Sequence, residues 1–335
     1  MTKNYEPRLF KFSGAGNDFV VLDGRQRGME PFREPVRIGQ LCREYHTDGL
    51  MILTQPSAVH SGPSAVHSAP SSCHSERSEE SPYHFVMEFY NPDGSGGMMC
   101  GNGGRCIVAF ANYLGIHPAD GAPYRFLAPD GEHTAEILSE KIPGQARNDG
   151  SVMADSDRPS LPTWTVRLKM IDVKGVTPMK DGYFLNTGTR HFVQFVPEVD
   201  SKDMEAEAKP LRWDAAFQPE GTNVNFVEVR ADGLHVRTFE KGVEGETLAC
   251  GTGLTACALA AYKAGVSSSD GAERPRGSGG LGPQNVEDKT TLQAIYRLQC
   301  RRGDWLQVDF RPGPEDRFTD VYLTGPAELV AINPL

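Results

Sequence analysis

At 335 residues and 39 % hydrophobic content, the chain exceeds one ordinary domain and can bury two cores. A formal net charge of -10 speaks against a general nucleic-acid partner and leaves a small zwitterionic substrate open. Seven cysteines without a small secreted framework read as reduced thiols of the cytoplasm, and no apolar run near about 18 residues or signal-like start points to membrane insertion or secretion.

In chain order, a Gly- and Asn-bearing block at 11–20 is followed by the strand-like Leu50-Met51-Ile52-Leu53. Pro-Ser-Ala-Val-His-Ser-Gly at 56–62 then recurs almost verbatim at 63–69, before a Ser/Glu/Arg stretch. Such weakly apolar sequence cannot offset the entropy of ordering it, so residues 56–83 are expected to be a mobile surface insertion. His60, His67, Cys73 and His74 within it lack zinc-ligand spacing, and no metal site is expected. Similar insertions are expected at 140–162 and 267–288, since loop entropy rises slowly with length. Between them, alternating runs at Thr163–Ile171, Asn223–Arg230, Leu234–Glu240 and Trp305–Phe310 predict half-buried antiparallel strands. The strongest helix signals are Gly101–Leu114 and Gly251–Ala264.

Those two helices open alike. Met99-Cys100-Gly101-Asn102-Gly103 and Ala249-Cys250-Gly251-Thr252-Gly253 share C-G-x-G, and acidic, glycine-bearing turns precede them at Asp93-Gly94-Ser95 and Glu244-Gly245-Glu246. A helix N-terminus favours a thiolate and lowers a cysteine from about 8.5 to roughly 3.5–7.5. Glycines beside each thiol let a carboxylate approach the free backbone N–H groups. Two such ends facing each other form a two-base device: one thiolate removes a proton beside a carboxylate, and the other thiol returns one to the opposite face. Fixed N–H donors spread the carbanion charge, so no cofactor is required. Cys106 and Cys257, inside the helices, read as core residues. A four-cysteine zinc site is disfavoured because five or six residues separate the cysteines of each pair.

The blocks at Lys11–Val20, Tyr90–Ser95, Met99–Gly103, Gly221–Val227, Phe239–Gly242 and Glu246–Gly253 together resemble diaminopimelate epimerase, in family order over the whole chain apart from the insertions. The resemblance implies a cofactor-independent isomerase that interconverts LL- and meso-diaminopimelate on the route to lysine and peptidoglycan. It implies Cys100 and Cys250 as acid and base, assisted by His191 and Glu240. Backbone at Gly101, Asn102, Gly251 and Thr252 would hold the reacting carboxylate, and Asn17, Asn91 and Asn223 would hydrogen-bond the substrate. The implied fold is mixed α+β: two similar domains, each a curved, mostly antiparallel sheet around a central helix, with the active site in the cleft between them. The expected boundaries are 1–172 with 324–335, and 173–323. A homodimer is implied as well.

Bland alternatives exist for His191 as a solvent-facing side chain, for Glu240 as a surface charge, and for Asn17, Asn91 and Asn223 as turn residues. Two departures from the family concern the distal end of the substrate. Thr189-Arg190-His191 stands where the family has N-P-H, and Glu240-Lys241-Gly242 where it has E-R-G. Lysine is a point charge where arginine is a planar fork, so Lys241, helped by Arg190, is expected to pair the distal carboxylate. A sister racemase of proline or hydroxyproline, and a redox or metal-responsive thiol protein, are the competing functions.

Overall fold

The structure, a computed structural model, describes residues 8–25, 28–56, 81–97, 100–119, 121–142, 161–267 and 293–334. Most of the three expected insertions, including His60, His67, Cys73 and His74, lies outside the described residues.

Strands β1 (Arg8–Ser13), β2 (Asp18–Asp23), β3 (Gly49–Thr54), β4 (Phe85–Tyr90), β5 (Tyr124–Ala128), β6 (Gly131–Lys141) and β7 (Thr163–Lys169) form the first half. The second half comprises β8 (Thr177–Met179), β9 (Gly182–Asn186), β10 (Arg190–Phe195), β11 (Asn223–Arg230), β12 (Gly233–Glu240), β13 (Gly245–Thr247), β14 (Ala294–Gln299) and β15 (Trp305–Pro312). The long β16 (Phe318–Pro334) joins the halves: it pairs with β15 up to Thr324, with β7 from Gly325 and with β1 to Pro334. Pairing β16 with β1 closes β1 to β7 and β16 into a barrel, whereas the strands from β16 to β8 form an open, curved sheet.

Each sheet wraps one helix: α2 (Gly101–Tyr113) in the first, and α4 (Gly251–Ala264) in the second. The helices α1 (Pro35–Tyr45) and α3 (Lys209–Arg212) lie outside these wraps. Residues 101–111 of α2 are all buried, as expected for a helix inside a sheet rather than on one. Alanines and glycines dominate α4 because a strand layer must close around it on every side. In both halves the central helix connects a parallel strand pair, β4 with β5 and β12 with β14, and most other neighbours are antiparallel. The duplicated motif therefore sits on duplicated architecture, and the expected fold class holds.

Helix α1 explains why β3 is buried on both faces. Leu50 and Ile52 pack with Ile38, Leu41 and Cys42 of α1, while Met51 and Leu53 join the core around α2. Alternating residues thus serve two cores, as the period of a strand requires.

Candidate active site

Both motif cysteines are helix N-caps, Cys100 of α2 and Cys250 of α4. The sulfur of Cys100 accepts the Gly103 N–H at 3.2 Å, taking up a donor that the helix start leaves free. Cys250 makes no such bond; its sulfur lies 3.4 Å from Thr252 Oγ1. The two helix starts abut. A methyl group on Gly251 would stand 3.3 Å from Gly101 Cα, and one on Gly101 would stand 3.6 Å from Gly251 Cα. Glycine at both positions is what permits this approach, and it brings two helix N-termini, each favourable to an anion, together.

Burial changes the expected electrostatics. The sequence predicts lowered thiols, yet burial pushes Cys100 up to about 11 and Cys250 up to about 12, with the Glu240 charge adding to both. Desolvation of a thiolate outweighs the helix terminus here. Burial also raises the Glu240 carboxyl above its ordinary value. Glu240 is half-buried at the end of β12, so it is not a plain surface charge.

His191 is fully buried, against the solvent-facing alternative. Its Nδ1 lies 3.1 Å from Asn225 Nδ2, and its Nε2 lies 2.9 Å from Thr189 Oγ1 and 3.0 Å from Thr252 Oγ1. Burial drives His191 down to about 3, so the ring is neutral at physiological pH. Because its pKa is depressed below the ordinary 6.5, its neutral form contributes fully above that pH, and stability is lost as pH falls toward about 3. At about 1.4 kcal/mol per pH unit the loss is on the order of 5 kcal/mol. Urea unfolding across this range is expected to show wild type losing stability that His191→Gln does not lose; parallel curves for the two proteins would count against the depressed histidine.

The first half contributes a buried polar cluster. Asn102 Nδ2 donates to Asn17 Oδ1 at 2.6 Å, and Arg105 Nη2 donates to Asn102 Oδ1 at 2.9 Å. Arg105 is fully buried; it also donates to the carbonyls of Gly101, Gly14 and Pro326, and among the described residues no carboxylate pairs with it. Its charge favours the Cys100 thiolate and stands below the first helix start. Sequence reasoning missed Arg105; the available signal was its place one helical turn after Gly101.

Asn223 opens β11 beside His191, its parallel cross-strand partner. Its amide donates to Arg190 O at 3.1 Å and to Thr189 Oγ1 at 3.3 Å, and it accepts the Lys241 N–H at 2.7 Å. Asn225, another residue missed, follows on the same face of β11. The Asn91 side chain donates to Ser95 Oγ at 3.0 Å within its own turn. The acidic residues ahead of each motif are structural: Asp93 accepts from Ser95, Glu244 pairs with Arg212, and Glu246 pairs with Arg237.

Two distal expectations change. Thr189 lies 2.9 Å from His191 Nε2 and 3.0 Å from Thr252 Oγ1, so its hydroxyl is beside the second cysteine motif, drawn there because β10 starts beside α4. Arg190 is taken up by Glu220 at 2.6 Å and stacks over Phe184, which leaves Lys241 exposed without it.

Among the described residues no group of three His, Cys, Asp or Glu is arranged to hold a metal ion, and no helix is long and apolar enough to cross a membrane.

Solved structures share this architecture at low identity. A phenazine biosynthesis protein of the PhzF family from Bacillus anthracis matches with a TM-score of 0.60 at 10% identity, over 98% of both chains. A probable proline racemase from Agrobacterium radiobacter K84 matches with a TM-score of 0.54 at 13% identity, over 98% of this chain and 92% of that one. These likenesses establish the fold. The sequence model for diaminopimelate epimerase matches residues 183–295. The diaminopimelate epimerase of Chlorobaculum tepidum is 32% identical over 95% of this chain and 97% of its own, and that of Aquifex aeolicus is 36% identical over 77% and 82%. The chain belongs to the diaminopimelate epimerase family of isomerases.

Proposed function

We propose that the protein interconverts LL- and meso-diaminopimelate without a cofactor, with Cys100 and Cys250 as the two proton-transfer groups. The observation that carries this reading is the contact of two cysteine-capped helix starts at Gly101 and Gly251. A carboxylate received by the backbone of Gly101, Asn102, Gly251 and Thr252 would have its neighbouring carbon between the sulfurs. One thiolate then removes the α proton, the carbanion charge moves into the carboxylate, and the other thiol reprotonates the opposite face. Both thiols are held protonated by burial, so one must first lose its proton. Glu240, whose negative charge opposes both thiolates and whose own carboxyl is raised, suits the role of acceptor, since the transfer exchanges one buried charge for another.

Lys241 would pair the distal carboxylate, with Asn17, Asn91 and Asn223 lining the substrate. Lys241→Ala is expected to raise KM more than about tenfold with kcat little changed, the pattern of lost uniform binding; an unchanged KM in steady-state assays would refute the pairing. The proposed lobes are 1–172 with 324–335, and 173–323, supported by the change of β16 partner between Thr324 and Gly325. The setting proposed is lysine and peptidoglycan-precursor synthesis by a cytoplasmic homodimer, and sedimentation equilibrium tests the dimer.

The deciding experiment is incubation with LL-diaminopimelate in heavy water, following deuterium at the α carbon by NMR. Formation of deuterated meso product supports the reading. Exchange on proline or hydroxyproline instead would transfer the function to a sister racemase, and no exchange on any amino acid would remove the catalytic reading.

A further inference from the structure

The hydrogen-bond directions around His191 can be assigned from the network, because two carboxamides are anchored by backbone groups. Asn225 Nδ2 donates to the Phe192 carbonyl and its Oδ1 accepts from Thr238 Oγ1, so the amide presented to His191 Nδ1 is a donor. Nδ1 therefore accepts, and the neutral ring carries its hydrogen on Nε2. That N–H faces two hydroxyls, Thr189 at 2.9 Å and Thr252 at 3.0 Å, both closer than the Asn223 amide nitrogen at 3.5 Å, whose hydrogens go to Arg190 O and Thr189 Oγ1. Asn223 is fixed likewise by Arg190 O and the Lys241 N–H, so it donates to Thr189 Oγ1. No bond joins His191 to a sulfur directly; Thr252 Oγ1, 3.4 Å from Cys250 Sγ, stands between them.

We propose that Thr252 is the positioning residue through which neutral His191 acts on Cys250, its hydroxyl taking the Nε2–H and giving its own hydrogen to the sulfur, with Thr189 as the adjustable partner. This rests on the assignment of Cys250 as one of the two proton-transfer thiols. When Cys250 is a thiolate, Thr189 donates to Thr252, and Thr252, with two hydrogen bonds received, has only the sulfur left for its own hydrogen. When Cys250 has gained the substrate proton, its S–H points to Thr252 Oγ1, and Thr252 donates back to Thr189, whose hydroxyl hydrogen turns to solvent at the exposed end of β10. One reversal of the Thr189–Thr252 bond accommodates both states. The C–H bond breaks, the S–H bond forms, and His191 neither gains nor loses a proton. A threonine in place of the family's asparagine at 189 makes this reversal possible, because a hydroxyl both gives and accepts through one atom, whereas an amide nitrogen only gives.

The test reads the thiol itself. Iodoacetamide modification of wild type, Thr252→Val, Thr252→Ser and Thr189→Val is followed between about pH 7 and about pH 10, and rates at Cys250 and Cys100 are resolved by peptide mass spectrometry. Loss of a hydrogen bond to a charged group predicts Cys250 in Thr252→Val reacting about tenfold more slowly at each pH, Cys100 within about twofold, and Thr252→Ser close to wild type. Thr189→Val should slow Cys250 about threefold, through loss of the bond that orients Thr252. A Thr252→Val protein whose Cys250 reacts at the wild-type rate overturns the proposal, as does equal slowing of both cysteines, which is the mark of a merely structural threonine. Should circular dichroism show Thr252→Val unfolded, Thr189→Val decides, and an unchanged Cys250 rate overturns it. The readout needs no substrate, so a wild-type protein inert toward diaminopimelate would remove the epimerase reading and leave this result standing.

Discussion

Cys100→Ala and Cys250→Ala should each lower turnover of LL-diaminopimelate by about 10³-fold, the range for losing a positioned acid or base. The fold should survive, because both side chains shrink by a single sulfur and the helix starts keep their glycines. Cys100→Ala removes the sulfur that accepts the Gly103 N–H, and an N-cap loss of about 1 kcal/mol is expected in its unfolding free energy. Cys250 makes no cap bond, so Cys250→Ala should be the milder change in stability at equal damage to catalysis. Cys106 and Cys257 lie fully buried one to two turns further along the same helices and serve as controls. Turnover in heavy water, measured by NMR alongside thermal melts, separates the cases. Either motif variant turning over like wild type would end the two-thiol reading.

Gly253→Ala should lower turnover by about 10²-fold, with a smaller effect on stability. A methyl group there would stand 2.6 Å from Asn225 Oδ1, and 3.3 Å from both Cys250 Cβ and His191 Cε1. Asn225 cannot simply retreat, since its oxygen receives the Thr238 hydroxyl and its nitrogen serves Phe192 O and His191. Either the amide is expelled, with His191 losing the partner that sets its tautomer, or α4 shifts and carries Cys250 away from Gly101. In a helix interior alanine is favoured over glycine by up to about 1 kcal/mol, which partly offsets the lost bonds in the melting temperature. No such offset applies to geometry at the sulfur. The expected signature is therefore a protein that melts within several degrees of wild type and works poorly, and wild-type turnover in this variant would show that the Asn225–His191 arrangement has no bearing on catalysis.

The most local features were the most legible. Both central helices lie where small residues follow C-G-x-G, and β7, β11, β12 and β15 lie on the alternating runs, because helix starts and strand periodicity are written within a few neighbouring residues. Helix α1 is less legible: Ile38, Leu41 and Cys42 share one face, with Pro35 at its start and His46 left-handed at its end, but the periodic run is short. Asn225 and Arg105 look unremarkable in sequence. Asn225 matters because β11 lies parallel to β10, and Arg105 because β16 returns over α2 with Gly325 against its guanidinium.

By itself the sequence determined the paired thiols, the bare glycines beside them and the helices they begin, since each depends on residue type and short spacing. Tertiary structure alone decided that the two helix starts meet, that burial raises both thiols instead of lowering them, that Glu220 takes Arg190, and that Thr189 meets Thr252. The division has one physical cause. Desolvation and cross-strand partners sum contributions from residues far apart along the chain, and those sums exist only once the strands have closed around the helices.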